Sequence, residues 1–240
     1  MTSLSVVLPA YNEEENAKNA VEEVSNVMQQ LGIDYEIILV NDGSADRTGE
    51  VGRELEQYIP NFRLVEHYPN RGYGGALKAG FAAATKELIA FVPADKQFVF
   101  AEIERFLEKI ADADIVSGYR VDRQDNVLRK FNALGWNMLV RLLFGYLCRD
   151  IDCGFKLFRR ELLQHVNIVS NGAMIDTEFL AGARARGFRI DEVPVTHLPR
   201  VAGAATGANL KVIIKAFRDL VHFRQRLNQE LRQERKAERE

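Results

Sequence analysis

A chain of 240 residues with a formal net charge of −2, 47% hydrophobic and 28% charged residues, has the balance of one globular domain, and no overall field that would gather nucleic acid. Its two cysteines and four histidines show no zinc-ligand spacing, and a chain this long buries enough apolar surface to fold without staples. Cys148 and Cys153 are close enough in sequence to pair, but free thiols in a reducing compartment are the expectation.

In chain order, residues 4–8, 36–40, 62–66, 88–92 and 114–117 are short apolar runs of buried-strand type. Between them, residues 14–31, 46–58, 75–85 and 100–111 have helical periodicity, the second opening on the capping side chains of Ser44 and Asp46. Strands alternating with helices imply βαβ units and a mostly parallel, Rossmann-like sheet flanked by helices. The second half is less regular. Residues 127–147 read as a long apolar helix carrying Arg129, Lys130 and Arg141, followed by a helix near 176–186, a strand at 189–193 and a small-residue loop at 203–207. From Asn209 the pattern is helical again. The expected division is one domain over residues 1–208 and an amphipathic helix with a charged tail over 209–240.

The N-terminus shows no basic leader before its first strand, so a cytoplasmic protein is expected. The longest apolar candidate, 136–148, falls short of the ~20 residues of a membrane span and carries Arg141. Any membrane contact is therefore expected to be peripheral. Leu210, Ile213, Ile214, Phe217, Leu220 and Val221 share one helical face, flanked by Lys211, Lys215, Arg218 and Arg224. Such a face suits an anionic membrane surface, the domain itself or a second subunit. In the tail, Glu230, Glu234 and Glu238 align at like-charge spacing, which predicts a frayed segment or one paired with a partner.

Ligands on parallel sheets sit beyond the carboxyl ends of the strands. Polar, turn-forming residues gather there: Pro9-Ala10-Tyr11-Asn12-Glu13, Asn41-Asp42-Gly43-Ser44, the segment 68–75, and Pro93-Ala94-Asp95-Lys96-Gln97. A carboxylate at Asp42 has the chemistry to accept from the N–H groups of a uracil or guanine, or simply to shape a turn. Tyr11 has a face to stack on a base, or to bury in a core. Glu13 suits ribose hydroxyls, or a helix N-terminus. The glycines of 71–75 lack the G-x-G-x-x-G spacing and follow the third strand, which argues against a dinucleotide fold.

In this order, these motifs resemble the family 2 glycosyltransferases of the GT-A fold, and within them the polyprenyl-phosphate glycosyltransferases, the group of dolichol-phosphate mannose synthase. Asn70-Arg71-Gly72-Tyr73-Gly74-Gly75, Ser117-Gly118-Tyr119-Arg120, Asp152-Cys153-Gly154-Phe155-Lys156 and Glu192-Val193-Pro194-Val195 with His197 and Arg200 extend the resemblance over residues 4–207. It implies a GT-A single domain and a hexose transfer, mannose or glucose type, from a GDP- or UDP-sugar to polyprenyl or dolichyl phosphate with inversion. Carried over by position, Pro9, Tyr11, Asn12, Glu13, Val40, Asp42, Gly43, Ala94, Asp95 and Arg120 hold the nucleotide sugar. Asp95 and Gln97 face a divalent cation, Mg²⁺ or Mn²⁺, and Asp95, Asp152, Arg120 and Arg200 serve catalysis. Guanidinium groups and a hard cation stabilise the charge that grows on a departing diphosphate.

One departure stands out. The family shows Asp-x-Asp where this chain has Pro93-Ala94-Asp95, so one carboxylate is missing. That leaves weaker metal binding, an altered donor or a non-catalytic nucleotide-sugar-binding relative open. Asp150 or Asp152 is the candidate base for a hydroxyl acceptor, on a glycan or a lipid; a lipid phosphate needs none. The implied partners are the nucleotide sugar and the polyprenyl phosphate. Nucleic acid is excluded and a homo-oligomer is left open.

Overall fold

The computed structural model describes residues 2–121, 127–199 and 210–237, with backbone alone for 127–133 and 210–217. Within it, β1 (Ser3–Ala10), β2 (Asp34–Asp42), β3 (Phe62–His67), β4 (Leu88–Phe91), β5 (Ile115–Val121), β6 (Lys156–Arg159) and β7 (Ile190–Thr196) form one sheet. Its order is β3-β2-β1-β4-β6-β5-β7. β1 pairs in parallel with β2 and β4, β2 with β3, and β5 with β7. β6 runs antiparallel to both β4 and β5.

Alternate residues of each strand enter opposite layers, as the pleat requires. Leu4, Val6 and Leu8 of β1 pack with Val21, Val24 and Met28 of α1 (Ala17–Leu31) and with Phe106 of α4 (Ile103–Lys109). Val7, Ile38 and Val40 face the other way, towards Leu77 and Phe81 of α3 (Tyr73–Ala83) and Phe179 of α6 (Met174–Ala185). Apolar surface buried on both faces accounts for the continuous hydrophobic runs in the sequence.

Boundaries shifted for local reasons. α1 starts at Ala17 rather than Glu14 because Asn12 takes a left-handed φ of 55° and the Glu13 amide donates to Thr48 Oγ1 at 2.8 Å. It stops at Gly32, whose φ of 64° lets its N–H close on the Met28 carbonyl. α2 is short, Thr48–Leu55.

The strand β6 was not expected from the sequence. Four residues, reversed between β4 and β5, leave no periodicity to read. α5 (Val127–Phe144) and α7 (Leu210–Ala237) complete the fold.

α7 corrects the expectation of a frayed or partner-bound tail. It is helical through Ala237, and Glu230 and Glu234 pair with Arg186 of the same chain at 3.2 and 2.6 Å. Leu220, Phe223 and Leu227 are buried in the α6-side core, so this half of the helix packs on the domain. The residues 210–217 of the expected amphipathic face lie outside the described side chains.

Candidate active site

Parallel strands bring Ala10, Asp42, His67, Phe91 and Val121 to one edge of the sheet. Because β6 is reversed, its entry segment 150–155 arrives at the same edge. The motifs scattered from Pro9 to Lys156 therefore meet in one place.

The loops after β1 and β2 are stitched together. The Asn12 amide donates to Ser44 Oγ at 3.0 Å, and the Ala45 amide donates to Asn12 Oδ1 at 2.8 Å. The Glu14 amide donates to Asp46 Oδ2 at 3.1 Å, and the Arg47 amide returns to Glu14 Oε2 at 2.9 Å. Glu13 is buried and accepts from Asn16 Nδ2 at 2.7 Å. Tyr11 is 50% accessible, its ring available for a planar ligand. Pro9 and Ala94 are buried and joined, the Ala94 amide donating to the Pro9 carbonyl at 3.2 Å. Val40 is wholly buried beneath α3, so its side chain serves packing.

Asp42 is 3% exposed, and its carboxylate organises the loop after β3. It accepts from the Arg71 amide at 2.9 Å and the Gly72 amide at 2.8 Å, and lies 3.1 Å from His67 Nδ1. Asn70 Nδ2 donates to the Asp42 carbonyl at 2.8 Å. Gly43 is required beside it: its φ is +69°, and a Cβ there would meet the Asn70 nitrogen at 2.7 Å. The sequence reading missed His67, which nothing but this contact would mark.

Asp95 follows β4, its Oδ1 accepting from the Gln97 amide at 3.2 Å. Gln97 binds the end of β7: its carbonyl accepts from the Leu198 amide at 2.9 Å and its Nε2 donates to the Leu198 carbonyl at 3.3 Å. Lys96, at a φ of 60°, turns away to pair with Glu23. Pro93 packs on Gly154, where a Cβ would meet the proline ring at 2.9 Å. Among the described residues no group of three or more His, Cys, Asp or Glu is placed to hold a metal. The oxygens of Asp95 and Gln97 suit a hard cation that takes its remaining ligands from a diphosphate and water, as magnesium does.

Beyond β5, Arg120 and Asp150 form a two-pronged ion pair, Nε to Oδ2 at 2.6 Å and Nη2 to Oδ1 at 2.7 Å, with both side chains nearly buried. Asp150 therefore holds Arg120, which makes Asp152 the better candidate base of the two. Burial first, then the neighbouring Asp176 carboxylate, push the Asp152 carboxyl up to about 7. Burial raises the Tyr73 phenol well above its usual range, and Asp176, Cys153, Asp152 and Asp95 add to it.

Beneath them lies a residue the sequence reading quoted but did not use. Lys156 is 0% exposed, and its Nζ donates to Asp176 Oδ1 at 2.7 Å, to the Ile151 carbonyl at 3.0 Å and to the Cys153 carbonyl. Burial is the largest influence on Lys156 and opposes its charge, but Asp176, Cys153 and Cys148 together outweigh it and its pKa is raised. Cys148 and Cys153 are both buried and free, as expected, and burial lifts their thiols to about 12 and about 11. Arg200 lies outside the described residues.

A strand order with one reversed member, a site at the carboxyl edge and paired loops after β1 and β2 define the GT-A architecture of sugar-nucleotide enzymes. The chain belongs to Glycosyl transferase family 2, whose pattern its residues 5–166 match. It is 33% identical over 214 residues to undecaprenyl-phosphate 4-deoxy-4-formamido-L-arabinose transferase of Pectobacterium carotovorum, covering 88% of this chain and 64% of that one. It is 34% identical over 212 residues to dolichyl-phosphate beta-glucosyltransferase ALG5A of Trichomonas vaginalis, covering 80% and 64%. The chain thus spans 64% of the length of each of these relatives. Its fold matches glucosyl-3-phosphoglycerate synthase of Mycobacterium tuberculosis, crystallised with Mn²⁺, uridine diphosphate and phosphoglyceric acid, with a TM-score of 0.71 at 19% identity over 92% of this chain and 77% of that one.

Proposed function

We propose that this chain transfers a hexose, of mannose or glucose type, from a GDP- or UDP-sugar to a polyprenyl or dolichyl phosphate with inversion. The observation that carries this reading is Arg120, locked by Asp150 on the edge that also carries Asp42, Asp95 and Asp152. The curated relatives, whose names specify lipid-phosphate acceptors, support it.

In this reading Tyr11, Asn12, Glu13, Asp42 and Gly43 shape the nucleotide pocket. Asp95 and Gln97 would hold Mg²⁺ or Mn²⁺, which would neutralise the diphosphate. Arg120, with Arg200, binds phosphate. An oxygen of the acceptor phosphate attacks the anomeric carbon, the bond from that carbon to the diphosphate breaks, and the nucleoside diphosphate leaves with the electron pair. No proton is released, because the attacking oxygen is already ionised. Residues 1–208 form the catalytic unit and 209–240 an appendage, which works at the membrane surface where the lipid tail of the acceptor stays.

A second reading rests on Asp152, whose carboxyl at about 7 suits a base for a hydroxyl acceptor. Radiolabelled UDP-glucose and GDP-mannose, each offered with undecaprenyl or dolichyl phosphate and Mn²⁺, test the proposal. Label in the organic phase is the expected result. Label only on a hydroxyl acceptor favours the second reading, and donor binding without transfer to any acceptor identifies a non-catalytic relative.

A further inference from the structure

Glu178 of α6 is a buried carboxylate that the proposed chemistry leaves unused. It is 4% exposed, and a charge that deep persists only where donors surround it. Its two oxygens serve different elements. Oε2 accepts from the Val169 amide at 2.9 Å and the Ser170 amide at 2.8 Å. Oε1 accepts from Arg226 Nη2 of α7 at 2.8 Å, which answers the buried charge. The segment that Oε2 grips has little else to hold it. Over residues 169–173 no side chain is buried, so polar bonds rather than apolar packing fix this loop. α3 supplies a second grip: Lys78 Nζ donates to the Val169 carbonyl at 2.9 Å and to Asn171 Oδ1 at 2.6 Å.

Held from both sides, the loop lays its backbone against the start of α3. The Asn171 carbonyl accepts from the Gly74 amide at 2.9 Å and the Gly75 amide at 3.4 Å. The approach leaves no room for side chains: a Cβ at Gly72 would meet the Asn171 oxygen at 2.6 Å, and one at Gly74 the Ser170 oxygen at 2.7 Å. The Gly72 amide in turn donates at 2.8 Å to Oδ2 of Asp42, the carboxylate that the proposed function puts in the nucleotide pocket. An unbroken run of bonds therefore joins Glu178 to Asp42, from carboxylate to loop amides, from loop carbonyl to the first turn of α3, and from the Gly72 amide to Asp42.

We propose that Glu178 is a positioning residue of the nucleotide site: by fixing the loop at 169–171 it sets the first turn of α3, and with it the Gly72 amide that orients Asp42. This role rests on the reading that Asp42 faces a nucleoside diphosphate. A site already in place binds without first being ordered, so freeing the loop weakens nucleotide binding and not only the fold. The Arg226 contact, by contrast, belongs to stability: it answers the charge and does not touch the loop.

Two double variants of the full chain separate holding the loop from holding the charge. Glu178→Gln with Arg226→Met loses the ion pair but keeps an acceptor oxygen for the Val169 and Ser170 amides. Glu178→Leu with Arg226→Met loses both. Calorimetry with UDP and with GDP, each with Mn²⁺, gives the affinities, and hydrogen exchange reads the Gly74 and Gly75 amides. The leucine variant should bind whichever nucleotide wild type binds about tenfold more weakly, the effect of fixing roughly one residue's backbone on binding. Its Gly74 and Gly75 amides should exchange faster. The glutamine variant should keep wild-type affinity and exchange. A merely structural Glu178 would lower the melting temperature of both variants and leave both affinities alone, which overturns the proposal. So does unchanged exchange at Gly74 and Gly75 in the leucine variant, or a glutamine variant that binds as weakly as the leucine one. Should the leucine variant not fold, Lys78→Met removes the loop's other grip, and wild-type nucleotide affinity in that protein overturns the proposal. Wild-type protein that binds neither nucleotide sinks the nucleotide reading and the positioning role together, whereas equal binding by wild type and both double variants sinks the positioning role alone.

Discussion

Asp150 grips Arg120 at two points, through Nε and Nη2, and also accepts from the Arg120 amide at 3.3 Å. A fork held on both prongs has one orientation, which is what a guanidinium needs to meet a phosphate repeatedly in the same place. Asp150→Ala should leave a nearly buried arginine without its clamp. We expect turnover to fall about a hundredfold, the scale of an ångström-size misplacement of a reacting group. Arg120→Lys, with Asp150 kept, should lose turnover as well, because an ammonium cannot engage both carboxylate oxygens in plane. Steady-state kinetics on the folded variants check this. Asp150→Ala with unaltered turnover would show that Arg120 needs no clamp.

Asp42 shows how a role read from sequence acquires a second job in the fold. Its carboxylate is already engaged by the Arg71 and Gly72 amides, so its removal should loosen the loop before α3 as well as alter base recognition. Asp42→Ala should weaken nucleoside diphosphate binding by about 1–3 kcal/mol, the cost of stranding buried donors. Asp42→Asn keeps one acceptor oxygen and should lose less. Calorimetry gives the affinities, and hydrogen exchange at the Arg71 and Gly72 amides reports the loop. Unchanged exchange in Asp42→Ala would contradict the loop role.

The metal expectation is decided at Asp95. Asp95→Asn should abolish any dependence of donor binding on Mn²⁺, and EDTA should weaken wild-type binding. Pro93→Asp supplies the missing carboxylate, but the proline ring packs on Gly154, on the edge that holds Asp95 and Asp152. The added charge should lower the melting temperature in EDTA and raise donor affinity in Mn²⁺. Wild-type binding and turnover that are indifferent to EDTA would remove the cation from the account.

Much of this architecture was legible before any coordinates. The alternation of β-branched runs with helical periods marked β1 to β5 and α1 to α4, and the rule that ligands sit beyond strand ends selected the loops at Tyr11, Asp42 and Asp95. What escaped was of a different kind. β6 is too short and too mixed to show a period, yet its reversal brings Asp150 and Asp152 to the site. Asp150 and Arg120 lie 30 residues apart, and only the fold shows that the carboxylate is a clamp rather than a free base. The α7 carboxylates aligned as repelling charges, because Arg186, their partner, lies far away in sequence, just past the end of α6. Lys156 looked like an ordinary charged residue after a phenylalanine; its complete burial is a property of the packing around it.

That burial makes Lys156 the support of the acceptor-side loop. Its ammonium holds the Ile151 and Cys153 carbonyls, the residues on either side of Asp152. Lys156→Met leaves Asp176 buried and unpaired, and should cost about 3–5 kcal/mol of stability. Adding Asp176→Leu removes the stranded charge and should recover much of that loss without restoring the loop or turnover. Denaturant melts of the three proteins decide it. A single variant as stable as wild type would mean that the pair contributes nothing.

Asp152 gives the last expectation its sign. Its carboxyl titrates near 7 in the folded chain against an ordinary 3.8, because burial and then Asp176 disfavour the anion. A raised carboxyl stabilises the fold while it is protonated. Its contribution is complete below about 3.8 and is lost as pH rises through about 7. Asp152→Asn mimics the neutral form at every pH. It should match wild type near pH 4 and become the more stable protein as pH rises towards 8, by an amount on the order of 2 kcal/mol after discounting for partial solvent access. Thermal melts across that range test the linkage, and parallel melting curves at all pH values would refute it. The same variant separates the acceptors. A hydroxyl must give up its proton, so with that acceptor the wild-type rate should climb as Asp152 ionises near pH 7, and Asp152→Asn should be nearly inactive. A phosphate oxygen gives up none, so transfer to polyprenyl phosphate should survive the substitution and lack that rise.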